Sequence, residues 1–342
     1  LTQGALVSTD SLIVTGDIDQ DGTPDITITG DVRDNDVTSP GSDITEVQAT
    51  LAVPVEDNGI DDDGDGTTDE AGEDLLDDNV RIFEFPNETA ETTLDGLVLT
   101  GGRTLDDLGE GGAVSGSGQL TLTNMLVAGN STAGEYARGG AVFTDGVVNV
   151  LDSTFSGNET GQREAGGGAI AAEIVSATDS LFVSNATRGG NSDGGAIAAN
   201  GFLVLSDTEL SGNATQGLSS DGGAAYARDG IFASDSVISG NMTEGPRSAG
   251  GGLAVNPNRD VGIVLTGTTV HANSTRGPAA EGGGLVTGRL SAVDTTISDN
   301  FTLGDADGSG NSAGGGFFAE DAFLLNVTVA GNFTAGSGVM TL

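Results

Sequence analysis

The sequence predicts an all-β fold: a right-handed parallel β-helix, a solenoid in which three-strand coils of about 28 residues stack on one another. Three observations carry that prediction. A glycine pair recurs every 27 to 32 residues, an alternating apolar run follows each pair, and an Asp or Asn, once a Gly, is followed six residues later by Asn in every copy. A period of this length marks a repeat architecture, because one such unit cannot bury its apolar face without a neighbour.

The elements of a coil follow in order. The glycine pairs begin at Gly111, Gly139, Gly167, Gly194, Gly222, Gly251, Gly283 and Gly315, and a short strand comes after each. A second strand ends at an Asx marker, whose copies are Asn124, Asp152, Asp179, Asp207, Asp235, Gly267, Asp294 and Asn326. Apolar residues stand two and four positions before the marker, as at Leu205 and Leu203, which is the alternation of a half-buried strand. A third strand runs to the ladder of Asn130, Asn158, Asn185, Asn213, Asn241, Asn273, Asn300 and Asn332. Three residues before each ladder Asn lies Val127, Phe155, Phe182, Leu210, Ile238, Val270, Ile297 or Val329, an expected inward-facing column. Stacked at about 4.8 Å per coil, these copies make a rod of roughly 40 Å. Extra residues fall at 256–261 and 304–310, between strands, where a solenoid tolerates loops. We read one continuous solenoid, with N-terminal coils and acidic insertions over residues 1–95 and regular coils over 96–342. Leu1 opens without a basic leader and Leu342 falls partway through a repeat, which reads as a piece of a longer protein.

Composition favours a thin, repetitive core: 58 of 342 residues are Gly, 36% are hydrophobic, two are Tyr and none is Trp. The formal net charge is −40 and all eleven basic residues are arginines, so nucleic acid and anionic membrane surfaces are not expected partners. No apolar run approaches the roughly 20 residues of a membrane helix, and insertion of this segment into a membrane is not expected. Salt or divalent cations would relieve the self-repulsion of such a chain. This suggests a saline medium and an extracellular or cell-surface location. There is no cysteine, hence no disulfide.

GGAV stands at Gly111 and Gly139, GGAI at Gly167 and Gly194, and Phe-x-x-Asn at Phe155 to Asn158 and Phe182 to Asn185. These motifs resemble the repeats of polymorphic outer-membrane proteins and related bacterial surface β-helices. The resemblance covers about residues 96–334 and implies surface display or adhesion. The segment before Gly96, with "TTLDGLVLTGG", is similar to the first coils of large secreted β-helix proteins.

Asparagines at a coil corner can bond both local backbone and one another. The Asp marker recurs in most coils, whereas a catalytic pair should occur once, so we expect an Asx turn whose charge is satisfied by backbone amides. Every ladder Asn also opens an Asn-x-Thr sequon, with Thr132, Thr160, Thr187, Thr215, Thr243, Thr275, Thr302 and Thr334. A stacked threonine ladder gives the same regularity, and inward-facing asparagines would be closed to a glycosyltransferase. Asn87 with Thr89, off the ladder, is the better acceptor.

Acidic residues concentrate at the N-terminal end, where residues 1–110 carry a net −26 against −14 over the rest. Two runs there have metal spacing: Asp17, Asp19, Asp21, Gly22, Thr23, Asp25, and Asp61, Asp63, Asp65, Gly66, Thr67, Asp69. Oxygen donors at positions 1, 3, 5, 7 and 9 with a glycine at 6 are what Ca²⁺ asks of a loop. Position 12 is Ile28 or Gly72 rather than Glu, so these are abbreviated calcium loops, and Glu70 and Glu73 stand ready to complete the second. Asp305, Asp307, Ser309 and Asn311 form a shorter run of the same type.

Parallel β-helices also host pectate lyases and other polysaccharide-active enzymes, so this pectate-lyase-like solenoid does not by itself exclude catalysis. The lone His271 reads as a corner residue without a catalytic partner, and no Asp stands out from its repeat as an acid or base. Arg138, Arg163, Arg188, Arg247 and Arg276 fall in the loops after the Asn ladder, where surface ion pairing is expected. The chain is therefore expected to be a structural or adhesive module rather than an enzyme, stabilised by Ca²⁺ and able to stack end to end. A secreted polysaccharide lyase or glycoside hydrolase and a non-catalytic module binding surface glycans are the alternatives.

Overall fold

The computed structural model of the protein describes residues 6–16, 23–29, 81–304 and 312–335. Among them every regular element is a strand and every strand pairing is parallel, each strand lying beside its counterpart one coil away, as Val127 lies beside Phe155 and Phe155 beside Phe182. The result is a β-solenoid of about nine turns.

Among the described residues each coil contributes to three sheets, of 16, 10 and 9 strands. The strand after the glycine pair and the strand ending at the Asx marker lie in the same sheet, and in some coils they fuse, as in Val142–Leu151 and Ile170–Thr178. The strand running toward the ladder, such as Leu181–Val183, builds the second sheet. The third is made of very short strands just past the ladder Asn, such as Ser131–Thr132 and Ala186–Thr187. Two residues carry no period, which is why alternation in the sequence does not reveal this face.

The corners explain the residue choices. All eight markers from Asn124 to Asn326 sit in the left-handed region, with φ between 47° and 62°. Asn, Asp and Gly tolerate that conformation best, so Gly267 replaces an Asp without changing the turn. The first glycine of each pair is also left-handed, and in the triplets that residue is Gly250, Gly282 or Gly314. The pairs there thus begin one residue earlier than Gly251, Gly283 and Gly315. The second glycine meets a spatial limit instead: a Cβ on Gly195 would lie 2.1 Å from the carbonyl oxygen of Gly223 in the next coil.

Inside, Val127, Phe155, Phe182, Leu210, Ile238, Val270 and Ile297 are completely buried, and the Phe155 and Phe182 rings stack at 4.9 Å. Each fully buried Leu, Ile or Phe contributes about 1.5–3 kcal/mol. A further coil precedes the eight read from the sequence. Leu94 and Leu99 align with Leu122 and Val127, and glycines replace both marker and ladder, at Gly96 and Gly102. Above it, Leu6–Val7, Leu12–Thr15 and Ile26–Thr29 pair with Phe83–Glu84, Thr92–Asp95 and Leu97–Thr100.

Replacing Gly195 by Ala should cost about 3 kcal/mol or more through overpacking. Gly157→Ala, at φ +61° with open space around its added Cβ, should cost about 1–2 kcal/mol from backbone conformation alone. Denaturant unfolding of both variants measures the contrast, and equal losses would show that space does not limit the glycine column.

Candidate functional site

The most ordered chemistry in the molecule is the asparagine ladder. Asn130 through Asn300 are fully buried. Each Nδ2 donates both to the Oδ1 of the next ladder Asn and to a backbone carbonyl of the preceding coil. For Asn213 these acceptors are Asn241 Oδ1 at 3.0 Å and Phe182 O at 2.9 Å. Its Oδ1 in turn accepts from the backbone N–H and Nδ2 of Asn185, at 2.9 and 3.0 Å. The same pattern carries on to Asn332. All four hydrogen-bonding positions of the Asn213 amide are filled, so the ladder asparagines from Asn130 to Asn300 are structural and have no accessible nitrogen to modify in the folded state.

The threonine two residues on is equally inward. Thr132, Thr187 and Thr215 donate to the carbonyls of Ala137, Ser192 and Ser220, closing the following loop. The bond is missing at Thr243 and Thr275, whose buried hydroxyls have no partner among the described residues. Those are the two loops that carry Gly-Pro, at Gly245–Pro246 and Gly277–Pro278. Asn87, off the ladder, is half-buried in an Asx turn: its Oδ1 accepts from Thr89 N and Oγ1, and its Nδ2 donates to Thr9 O.

Two hydroxyl ladders escaped the sequence reading. Ser153, Ser180, Thr208, Ser236, Thr268 and Thr295 directly follow the markers and are buried. Ser153 Oγ accepts from Met125 N while donating to Leu151 O. Ser192, Ser220 and Ser248 form the other, each accepting a backbone N–H from the coil before. The signal for the first was present, since Ser or Thr follows each of those six markers.

The marker aspartates behave otherwise than expected. Asp152, Asp179, Asp207, Asp235 and Asp294 are exposed. Side-chain donors, not backbone amides, meet Asp207 and Asp294: Ser206 Oγ at 3.1 Å from Asp207 Oδ2, and Asn326 Nδ2 on Asp294 Oδ1. The left-handed φ, rather than charge satisfaction, accounts for the column.

Of the loop arginines, Arg138 pairs with Glu110 at 2.6 Å, Arg163 with Glu135 at 3.2 Å, and Arg188 with Glu159, each bridging adjacent coils. Arg276 lies over the Phe301 ring instead. His271 does have acidic company: its Nδ1 is 3.2 Å from Ser298 Oγ and 3.5 Å from Asp299 Oδ2. Both partners meet the same nitrogen at an exposed site, which is not the nucleophile–base–orienter relay of a hydrolase.

Of the first calcium run, Thr23 and Asp25 are described, and Asp25 N donates to Gly16 O at 3.0 Å. Asp17, Asp19 and Asp21 lie outside the described residues, as do Asp61, Asp63, Asp65, Thr67 and Asp69, and the run from Asp305 to Asn311. In the chain the first run falls at the marker corner between Leu12–Thr15 and Ile26–Thr29. Among the described residues no group of three or more acidic or histidine side chains is arranged to hold a metal ion.

One titratable cluster does stand out. Asp193 and Asp221 occupy the position just before the glycine pair in adjacent coils, and both are half-buried. Burial, then the neighbouring Asp221, pushes Asp193 up to about 7 against the opposing pull of its amide hydrogen bond. Burial raises Asp221 to about 6, with Glu281 adding to it. Burial and the same two carboxyls push Tyr226 up to about 12. Sequence alignment missed the pair because its positions vary from coil to coil, reading Glu, Arg, Gly, Asp, Asp, Ala and Glu from Glu110 to Glu281.

Compared with protein-family models, curated proteins and solved structures, the chain matches none.

Replacing Asn213 by Ala removes four hydrogen bonds and strands their partners, so a loss of about 3 kcal/mol or more is expected in denaturant unfolding. Asp207→Asn keeps a residue suited to left-handed φ and should stay within about 0.5 kcal/mol of the parent.

Proposed function

We propose that the chain is a structural, adhesive module of an extracellular or cell-surface protein: a stiff spacer, stabilised by calcium and able to lengthen by end-to-end stacking. The observation that carries this reading is the unbroken asparagine ladder from Asn130 to Asn332, fully buried as far as Asn300. A polar column with every group satisfied fixes the pitch of the coils and favours a straight, inextensible rod over a deformable cleft. The likeness of the GGA and Phe-x-x-Asn repeats to bacterial surface β-helices supports the same role. So does the charge of −40, which suits a saline exterior.

Stacking would act on the last described coil. Val329 and Leu324 are 48% and 42% exposed where their counterparts one coil earlier are fully buried. A parallel coil from a second copy, set in the same register, would cover them and continue the three sheets. In electron microscopy at high salt we expect rods longer than the roughly 40 Å of one copy. Leu324→Lys with Val329→Lys should shorten them. Isolated short rods at every salt and calcium level would remove stacking from the proposal, and cleavage of a polysaccharide by the purified chain would replace the structural role with an enzymatic one.

The acidic runs supply the calcium part. Millimolar Ca²⁺ bound only by the folded chain should stabilise it, by about 2.7 kcal/mol at a hundred times Kd. The thermal midpoint is therefore expected to rise with calcium and fall with a chelator. Asp61→Asn, Asp63→Asn and Asp65→Asn together should reduce that response, and a midpoint indifferent to calcium would dismiss the sites.

A further inference from the structure

The column that precedes the glycine pairs changes character along the solenoid. At its N-terminal end acid stacks on base, Glu110 against Arg138 at 2.6 Å. At Asp193 and Asp221 acid stacks on acid. The strands that follow are in register residue for residue, Ile197 beside Ala225 and Ala198 beside Tyr226, so the two aspartates are carried one coil spacing apart, about 4.8 Å. Each is held by an amide of the next coil: Asp221 N donates to Asp193 Oδ1 at 2.8 Å and Ala249 N to Asp221 Oδ1 at 2.7 Å. The ladders fix the pitch, so the backbone positions of the two aspartates cannot separate to relieve repulsion, and each carboxyl is tied by its amide.

The surrounding groups offer little compensation. Tyr226, on the adjoining strand, is near enough that both carboxyls add to what burial does in raising its pKa, and Glu281 adds a further negative charge on the Asp221 side. Arg228 and Arg259 are the nearby cations, and both are drawn to Asp229, at 3.4 Å each, with Glu173 3.8 Å from Arg228. Among the described residues neither Asp193 nor Asp221 makes an ion pair within 4.0 Å.

We propose that Asp193 and Asp221 form a proton-binding pair built into the side of the solenoid, through which the middle coils gain stability as the surroundings acidify. This rests on the fold alone and stands whether or not the adhesive role does. Two carboxyls held this close retain a proton that the unfolded chain would release, and they titrate as a unit. The sign follows. Affinity for the proton is higher in the folded state, so the stabilisation is full below the ordinary carboxylate range and is lost as pH rises through about 6 to 7.

The test uses Asp193→Asn with Asp221→Asn, which keeps an oxygen for each amide and removes the charge, in a His271→Gln background compared with His271→Gln alone. Between about pH 8 and about pH 5.5 the control should gain several degrees in Tm, whereas the double variant should lose most of that slope, keeping only what Glu110 and Glu281, also raised by burial, contribute, and should be more stable than the control at the alkaline end. Equal slopes in the two proteins would overturn the proposal. So would an alkaline loss in the control that calcium alone reverses, because the pair would then be a cation site. Carboxyl-carbon NMR titration of the unsubstituted chain gives an independent reading. At least one of the two aspartates should titrate well above the ordinary value of about 4, and two ordinary titrations would end the idea.

Discussion

A buried primary amide presents two donors and one doubly accepting oxygen, and leaving any of them unpaired in an apolar interior costs a few kcal/mol. From Asn130 to Asn332 the ladder meets that demand by making each coil the hydrogen-bond partner of the next. Because the amide reaches both the next Asn and the carbonyl of the preceding coil, the step between coils is set at the ladder and passed to the rest of the section. The glycine column follows: at that step a Cβ on Gly195 would strike the Gly223 carbonyl. The hydroxyl ladders through Ser153 and Ser192 follow too, each spanning one step with a single Oγ. The apolar column fills what is left, with Phe155 and Phe182 near ideal stacking distance because the pitch places them there.

Charge plays a different part from shape. The ion pairs that bridge coils, such as Arg163 with Glu135, have side chains about half exposed and therefore contribute little to stability. Removing one would not loosen the rod. What the −40 charge sets is the medium in which the rod is comfortable, since repulsion along a surface this acidic depends on screening. The core dictates form and the surface dictates conditions. Asp193 and Asp221 connect the two, because the pitch fixed by the interior holds two surface charges together.

What the sequence makes legible depends on how many residues a feature occupies and how often it repeats. The interval from Asp207 to Asn213 and the apolar alternation through Leu203 and Leu205 recur in coil after coil, so the solenoid, its inward column and the structural role of the Asn-x-Thr motif are readable. Ala214–Thr215, a whole sheet face in two residues, has no alternation to read. Ser153 and its equivalents were hidden by type, since a serine beside an aspartate reads as a turn until the coil above supplies its amide donor. The acid pair was hidden by position, being two members of a column that otherwise varies. The neighbours of His271 were hidden as well, because Asp299 reaches it from the next coil, a contact no spacing within one repeat reveals.

A ladder that satisfies every coil in the same way leaves little in the repeat to serve a particular ligand, so any specificity has to come from where the repeat is broken. Between Val255 and Gly262 the chain inserts a loop whose Pro257 carbonyl presses against Gly288 one coil on, leaving no room there for a Cβ. Arg289 reaches across to the Asp260 carbonyl at 2.8 Å. With Glu320 and Asp321 of the last described coil these residues line an open polar hollow of about 220 Å³. Its walls span three successive coils, which is possible only because the pitch is constant: a loop anchored in one coil meets its neighbours at a distance the ladder has already determined. In chain order the two acidic runs also fall between strands, Asp17 to Asp25 before Ile26–Thr29 and Asp61 to Asp69 before Phe83–Phe85. In such a molecule the regular coils act as a ruler, and selection can vary the insertions without disturbing the spacing at which they are presented.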